Sequence, residues 1–295
     1  MKNLFMIVNP HGGLKKGLRI LEKIKPIFDQ KNIKLNILET EFAGHAQQYT
    51  NELDFKGFDG ICAIGGDGTM HELINGILKR EDQKKLPIGL ITGGTGNAFM
   101  HDLDCLKPEH AAKRITKGFL RNIDVVKVQN KDKVIYAFNI VSWGMSTDIT
   151  KLAEKMRYFG EQRYNIATFI EILKNKKRLV KIIIEGNTYV GDYALILACN
   201  TIHTGKSMKV APLAQLNDGM IDLVIARKSS RFHLLRLFPK LFSGDHIADH
   251  IVEYRQVKEF SIEPLVDCEL GIDGEILGNT PIKAEVVSNA IQVLV

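Results

Sequence analysis

Nowhere does the sequence come near the ~20 successive apolar residues that a membrane-spanning helix requires. Its opening apolar segment is too short for a signal peptide and runs directly into Asn9-Pro10. The four cysteines, Cys62, Cys105, Cys199 and Cys268, have no CxxC spacing, which excludes a zinc or disulfide framework. Cys62 and Cys199 fall in apolar runs, where cysteine serves as a small buried hydrophobe. A reducing cytoplasm is the expected setting. The Walker A sequence GxxxxGK(S/T) is missing, and so is GxGxxG, so any nucleotide site is of neither kind. There is no internal repeat and no low-complexity segment. The excess of positive charge is small, at +6 with an isoelectric point of about 9.0. Its lysines are spread, as in Lys15-Lys16, Lys84-Lys85 and the run Lys174–Arg178, without interleaved aromatics. They read as solvated faces, with contact to an acidic membrane surface the alternative for Lys174–Arg178, and no nucleic-acid partner is expected.

The composition is ordinary globular, 45% hydrophobic and 25% charged. A length of 295 residues exceeds one typical core, so two domains are expected. The most informative stretch is Cys62–Gly76, CAIGGDGTMHELING. A short apolar run ends in Gly65-Gly66-Asp67-Gly68-Thr69, and an amphipathic stretch begins at once. Glycines permit close approach of backbone to a ligand. The helix that follows turns free N–H groups and a positive dipole end toward the loop, which suits a phosphate. Asp67 does not attract an anion. It makes sense if it holds a divalent cation on the phosphates or takes a proton from an attacking hydroxyl. The plain alternative is a tight strand-to-helix turn with an aspartate N-cap. Two further junctions resemble it: Pro87–Asn97 (PIGLITGGTGN), and Leu4–Val8 followed by Asn9-Pro10-His11-Gly12-Gly13. Three such loops would line the carboxyl edge of a parallel sheet, where α/β proteins bind nucleotides.

Up to about residue 123 the texture is βαβ alternation. Strand-like runs are Leu4–Val8, Ile33–Leu38, Gly60–Ile64 and Ile88–Ile91; helix-like runs are Leu14–Gln30, His45–Leu53, Met70–Lys79 and Glu109–Phe119. In Leu14–Gln30, Leu18, Leu21, Ile24 and Ile27 recur at helical spacing. From Asp124 the texture turns to hairpins, with a helical interlude over Ile149–Lys176 and separate final strands Ile282–Val287 and Ala290–Leu294. Residues 1–123 are therefore expected to form an α/β domain and 124–295 an antiparallel, β-sandwich-like one, with the last strand free to return to the first. Ser230–Phe242 (SRFHLLRLFPKLF) is a basic, strongly apolar segment that suits either a helix packed on a sheet or a membrane interface.

In order along the chain, these motifs resemble the diacylglycerol kinase-type lipid kinases, a family that includes sphingosine and ceramide kinases and bacterial soluble lipid kinases. The resemblance rests on Asn9-Pro10 and its glycines, Thr40-Glu41 with His45-Ala46, Gly65–Thr69, Gly94–Asn97, Gln215–Asp222 and Asp273-Gly274-Glu275. NAD kinases share the GGDGT loop and the N-terminal fold type, but APLAQLNDGMID and the apolar helix look more like the lipid kinases. The resemblance implies ATP and Mg2+ as cofactors, with ATP between the two domains. It implies nucleotide contacts from Asn9, Thr40, Gly65, Gly66, Gly68, Thr69, Gly94, Thr95, Gly96, Asn97, Arg157, Arg163, Asp273 and Gly274. For Asn9 and Thr40 the plain alternative is turn and strand-end hydrogen bonding, and for Asp273-Gly274 a β-turn.

By the same resemblance Asp67 activates the lipid hydroxyl and Glu275 is a second acid, while Gln215, Asp218 and Met220 hold a structural magnesium. Asp148 matches the acid that recognises a lipid's polar head, and an acid pairs with the amine of a sphingoid base. Gly94-Thr95-Gly96-Asn97 instead resembles glycerolipid kinases, so sphingoid base and diacylglycerol-type acceptors both stand. The expected activity is transfer of the ATP γ-phosphate to a lipid hydroxyl, by a cytoplasmic protein that meets its lipid transiently at a membrane surface. The alternatives are an NAD kinase-like small-molecule kinase and a non-catalytic nucleotide- or lipid-binding relative.

Overall fold

The computed structural model describes residues 1–10, 16–94, 97–131, 133–205 and 207–295, with the side chains of Arg157 and Glu161 set aside. It divides into two compact units, Met1–Val125 with Ser288–Val295, and Val126–Val287. The break expected after residue 123 thus lies after residue 125, within a strand. In chain order the elements are β1 (Asn3–Val8), α1 (Gly17–Asp29), β2 (Lys34–Glu39), α2 (His45–Glu52), β3 (Gly60–Gly65), α3 (Asp67–Leu78), β4 (Ile88–Thr92), α4 (Ala98–Asp102), α5 (Pro108–Lys117) and β5 (Leu120–Asn130). Then come β6 (Lys133–Ala137), β7 (Ile140–Gly144), α6 (Met145–Lys155), a 3-10 turn (Arg157–Gln162), α7 (Arg163–Lys174), β8 (Leu179–Ile184) and β9 (Asn187–Cys199). The short β10 (His203–Thr204) and β11 (Met208–Lys209) precede β12 (Ile221–Arg227), α8 (Arg231–Leu237) and α9 (Lys240–Ser243). Last are β13 (Val252–Val257), β14 (Glu259–Pro264), β15 (Glu269–Ile272), β16 (Glu275–Asn279) and β17 (Ile282–Leu294).

In the first unit β4, β3, β1 and β2 form a parallel sheet in that order, with the end of β17 beside β4. Central parallel strands are covered on both faces, so they read as continuous apolar runs. Leu4 to Val8 and Ile61 to Ile64 are accordingly all buried. Val8 lies opposite both Glu39 and Ile64, and Gly65 opposite Thr92. The four strands therefore end level, and Asn9, Thr40, Gly66 and Gly93 all leave the same edge. Helix α1 buries Gly17, Leu21, Ile24 and Phe28, while Leu18 is 40% exposed. The stripe runs at i, i+4, i+7 and i+11, one step round from the spacing read in the sequence.

In the second unit β9 bends between two layers. Its first half, Asn187–Asp192, pairs with β8, and its second half with β7 and β12. One layer runs β16-β15-β7-β9-β12-β13; the other continues from β8 to β14 and the start of β17. Alternate residues fill the space between them: Val180, Ile182 and Ile184 from β8, Trp143 from β7, Leu223 from β12, Phe260 and Ile262 from β14. The other face of β12 and β9 is covered by helices, through Met145, Ile172, Leu234 and Leu237.

Three expectations change. The helical interlude starts at Met145 and breaks into α6, a 3-10 turn and α7, with Gly160 at φ 58° marking the kink. The last two expected strands are one, β17: Asn289 takes φ 51°, and Asp124 Oδ1 accepts its N–H at 2.7 Å, so a residue pair that reads as a turn stays in the strand. The segment Val252–Val257 adds an edge strand hidden by its polar sequence, VEYRQV. The apolar segment Ser230–Phe242 is packed on one side only: Leu234 and Leu237 are buried and Phe238 and Leu241 pack against core residues, while Phe232 and Phe242 are 80% and 45% exposed. His233 Nε2 and Asp249 Oδ1, 2.8 Å apart, tie α8 to the turn before β13.

Candidate active site

At the carboxyl edge of the first unit's sheet two glycine loops touch backbone to backbone. A Cβ on Gly94 would lie 2.5 Å from Gly66 Cα, and one on Gly65 would lie 2.4 Å from Thr69 Oγ1. No real Cβ sits that close, so these positions need glycine for the loops to meet. Gly93 N–H donates to Gly65 O at 2.8 Å, and Asn97 donates from Nδ2 to Gly94 O at 2.8 Å. Asn97 itself is left-handed, at φ 47°, a conformation that asparagine tolerates.

Asp67 is the first residue of α3, and the N-cap there is Gly66, which offers no side chain. The aspartate instead reaches across: its Oδ2 accepts the N–H of Ala98, the first residue of α4, at 2.9 Å. It thus fastens the second loop to the first with a half-buried carboxylate. Gly68 and buried Thr69 follow it in the first turn of α3, where the leading N–H groups have no intrahelical acceptor. Asn9 donates to Ile64 O from its backbone at 3.1 Å and from Nδ2 to Thr69 Oγ1 at 3.4 Å. Thr40, buried, gives both its N–H (2.9 Å) and its hydroxyl (3.4 Å) to Val8 O. Asn9, Thr40, Gly65–Thr69, Gly94 and Asn97 are therefore gathered at one sheet edge. Thr95, Gly96 and the loop His11–Lys15 lie outside the described residues.

Two contacts here carried no signal in the sequence. A Cβ on Gly17 would lie 2.4 Å from Asn9 O, so α1 begins against the end of β1. A lone glycine after two lysines gave no signal of that. Glu72 accepts the N–H groups of Gly44 (2.8 Å) and Ala46 (3.1 Å), fixing the start of α2 onto α3. Its spacing from Gly44, nearly thirty residues away, is invisible without the fold.

In the second unit the expected residues fall at three places. Asp148 lines a cavity of about 740 Å3, together with Trp143, Lys151, Arg178, Cys268 and Glu269. Its Oδ2 accepts from Arg178 Nη2 at 2.6 Å and Lys176 Nζ at 2.9 Å. Burial opposes ionisation of Asp148, but the hydrogen bonds from Arg178 and Lys176 outweigh it and hold the carboxyl below the ordinary range. Lys151 pairs with Glu269 in the same wall.

The second place joins the start of α7 to the β15–β16 hairpin. Arg163 pairs with Glu154 at 3.2 Å. Burial raises the pKa of the neighbouring Tyr164 phenol against the opposing charge of Arg163, with Glu154 and Glu275 acting in the same direction as burial. Asp273 is buried and spends its carboxylate on the N–H groups of Asn139 (2.9 Å), Ile140 (3.0 Å) and Phe138 (3.2 Å). With Gly274 at φ 91° it forms the hairpin turn, and Glu275 is exposed just after it. Only the backbone of Arg157 is described, at the start of the 3-10 turn.

The third place is the loop before β12. Gln215 and Asp218 are exposed, and Asp218 accepts from Met220 N–H at 3.0 Å and from Gln256 Nε2 at 3.4 Å. Gln256 also donates to Asp222 Oδ1 at 3.2 Å, beside Tyr254 Oη at 2.6 Å. Asp222 is fully buried, its pKa pushed up by desolvation, and its Oδ2 meets no donor among the described residues. An orphaned carboxylate oxygen next to Asp218 fits a hard divalent cation, which takes only oxygen ligands.

Two family profiles divide the chain: the diacylglycerol kinase catalytic domain matches residues 3–128, and the YegS C-terminal NAD kinase beta sandwich-like domain matches residues 139–295. The diacylglycerol kinase of Bacillus subtilis is 30% identical over 95% of this chain and 92% of its own length. The chain belongs to the diacylglycerol kinase-type lipid kinase family. Sphingosine kinase 1 of Arabidopsis thaliana is 28% identical over 89% of the chain, which spans 64% of that protein's length. A crystal structure of a diacylglycerol kinase from Bacillus anthracis superposes with a TM-score of 0.82 at 26% identity, covering 99% of this chain and 96% of that one. An NAD kinase from Archaeoglobus fulgidus, solved in complex with ATP, shares the fold with a TM-score of 0.54 at 12% identity, over 99% of this chain and 93% of its own. The lipid-kinase family thus pairs an α/β first domain with a β-rich second one, as in this chain.

Proposed function

We propose that this family member is an ATP- and magnesium-dependent lipid kinase that moves the γ-phosphate of ATP to a lipid hydroxyl. The observation that carries the reading is the meeting of the two glycine loops around Asp67. Phosphoryl transfer is mainly positioning and charge neutralisation, and backbone N–H groups at the start of a helix supply both for a phosphate. Asp67, held by Ala98 N–H, takes the proton of the attacking hydroxyl as the bond to phosphorus forms. Asn9, Thr40, Thr69 and Asn97 order the loops, and Thr95 and Gly96 are assigned to the nucleotide phosphates by the family resemblance alone. Arg157 and Arg163 serve the phosphates by their fork of donors, and Arg163 would leave Glu154 to do so.

Glu275, with Asp273-Gly274 fixing its hairpin, is the second acid. Magnesium bound to the nucleotide neutralises phosphate charge. A separate structural ion would be held by Gln215, Asp218 and the Met220 carbonyl, with Asp222 behind them. The acceptor is a sphingoid base or a diacylglycerol-type lipid drawn from a membrane surface. Because Asp148 is already paired with two cations, a sphingoid amine would have to displace one of them, and an acceptor without positive charge meets no such cost. The test is transfer of label from ATP to sphingosine, ceramide, diacylglycerol, monoacylglycerol and phosphatidylglycerol in detergent micelles. Label in at least one lipid, dependent on magnesium, is expected; label in none, with the protein folded, contradicts the reading.

A further inference from the structure

Two adjacent large aliphatic residues, Leu265 and Val266, are each 78% exposed, and they stand at the rim of the 740 Å3 cavity. Leu265 N–H donates to Leu179 O at 3.4 Å, and Leu179 is itself 46% exposed. The rim is rigid in origin: Val180 and Pro264 are register partners, so Leu179 and Leu265 extend the ends of two paired strands, β8 and β14. Folding gains nothing from exposing three aliphatic side chains side by side, and contiguous exposed apolar surface marks an interaction site.

The charge beside this tip selects its partner. Lys176, Lys177 and Arg178 precede Leu179 directly; Lys176 and Arg178 are paired with Asp148, so exposed Lys177, which also lines the cavity, is the basic residue at this rim, with exposed Asp267 following Val266. A tip of three residues is far too small for a stable protein interface, which buries about 1,200–2,000 Å2. Shallow insertion into a bilayer needs only such a tip, with basic residues at headgroup level drawn to anionic lipid. We propose that Leu179, Leu265 and Val266 are the point at which this protein touches an anionic lipid bilayer, with Lys177 at the headgroups and the cavity mouth open to the membrane. This rests on the lipid-kinase reading for its purpose, although the contact itself is testable without turnover. It also moves the membrane contact away from the Ser230–Phe242 segment, five of whose seven apolar side chains are buried or half-buried while Phe232 and Phe242 stay exposed.

The experiment is flotation with vesicles of phosphatidylcholine alone and of phosphatidylcholine with a minority of phosphatidylglycerol, in the absence of ATP. Wild type is expected on the anionic vesicles, less so as salt is raised. Leu265→Asp with Val266→Asp should lower the bound fraction by about tenfold or more, since each removes an aliphatic side chain from the interface. These positions are exposed, so the melting temperature should hold. Lys177→Glu should lower binding to anionic vesicles and spare the weaker binding to neutral ones, while Phe232→Ser, on the exposed side of α8, should leave both unchanged. Vesicle binding by the folded Leu265/Val266 variant equal to wild type overturns the proposal, as does a loss of binding confined to Phe232→Ser. A wild type that floats with vesicles through Leu265 and phosphorylates no lipid in micelles would leave this contact standing and remove the kinase reading instead.

Discussion

Between the two glycine loops of the first unit the carboxylate of Asp67 stands among glycines and backbone amides, whereas in the cavity of the second unit Asp148, Arg178, Lys151 and Glu269 pair off, with Lys176 also on Asp148. The first arrangement is made of backbone and admits no added atom: its loops are in contact at Gly66 and Gly94. The second is made of side chains that can swing apart. A backbone site is pre-organised for one fixed charge pattern, as the proposed transfer from ATP would require. A side-chain site can be retuned by changing one partner, which suits an acceptor that differs among relatives called sphingosine kinase and diacylglycerol kinase.

That contrast can be broken by substitution. Gly94→Ala should have the largest effect of the three that follow. Its Cβ would sit 2.5 Å from Gly66 Cα, so the loops must part, and a displacement near 1 Å in a positioning loop costs about 100-fold in turnover. Steady-state kinetics with ATP varied would show it, and wild-type turnover would mean the loops do not position the phosphates. Next, Lys176→Gln with Arg178→Gln unpairs Asp148. The preference for sphingosine over diacylglycerol should shift by roughly tenfold, about the worth of one charge-assisted pair. An unchanged preference would show that Asp148 does not face the acceptor. Smallest is Gly274→Ala, where a Cβ meets open space but the backbone is at φ 91°. Only strain is added, about 1–2 kcal/mol, seen as a lowered melting temperature, and because Gly274 fixes the hairpin of Glu275 lipid turnover should fall too, by less than for Gly94→Ala.

Much of the first unit was legible before folding, because its strands are continuous apolar runs that end in glycine loops. GGDGT and GGTGN announced their own junctions. What the sequence could not supply was the contact between them: that Asp67 fastens Ala98 instead of capping its own helix depends on the register that sets Gly65 opposite Thr92. In the second unit the hairpins were readable, but Asn289, where β17 passes into the first unit, hid the continuity of that strand, since a left-handed asparagine is equally at home in a turn. The pairing of Asp148 with Arg178 joins residues far apart in sequence and carries no local signature. Leu265 and Val266 look like any two core residues until their exposure is known.

Phosphate transfer by wild type beside Asp67→Asn, in the same lipid micelles with labelled ATP, probes the central claim most directly. Asparagine keeps an oxygen for Ala98 N–H and cannot take a proton, so the fold should survive and the melting temperature should hold. The account predicts label in the wild-type lipid and a rate at least ~100-fold lower in the variant, the usual contribution of a general base. Equal labelling by a folded Asp67→Asn protein would contradict it.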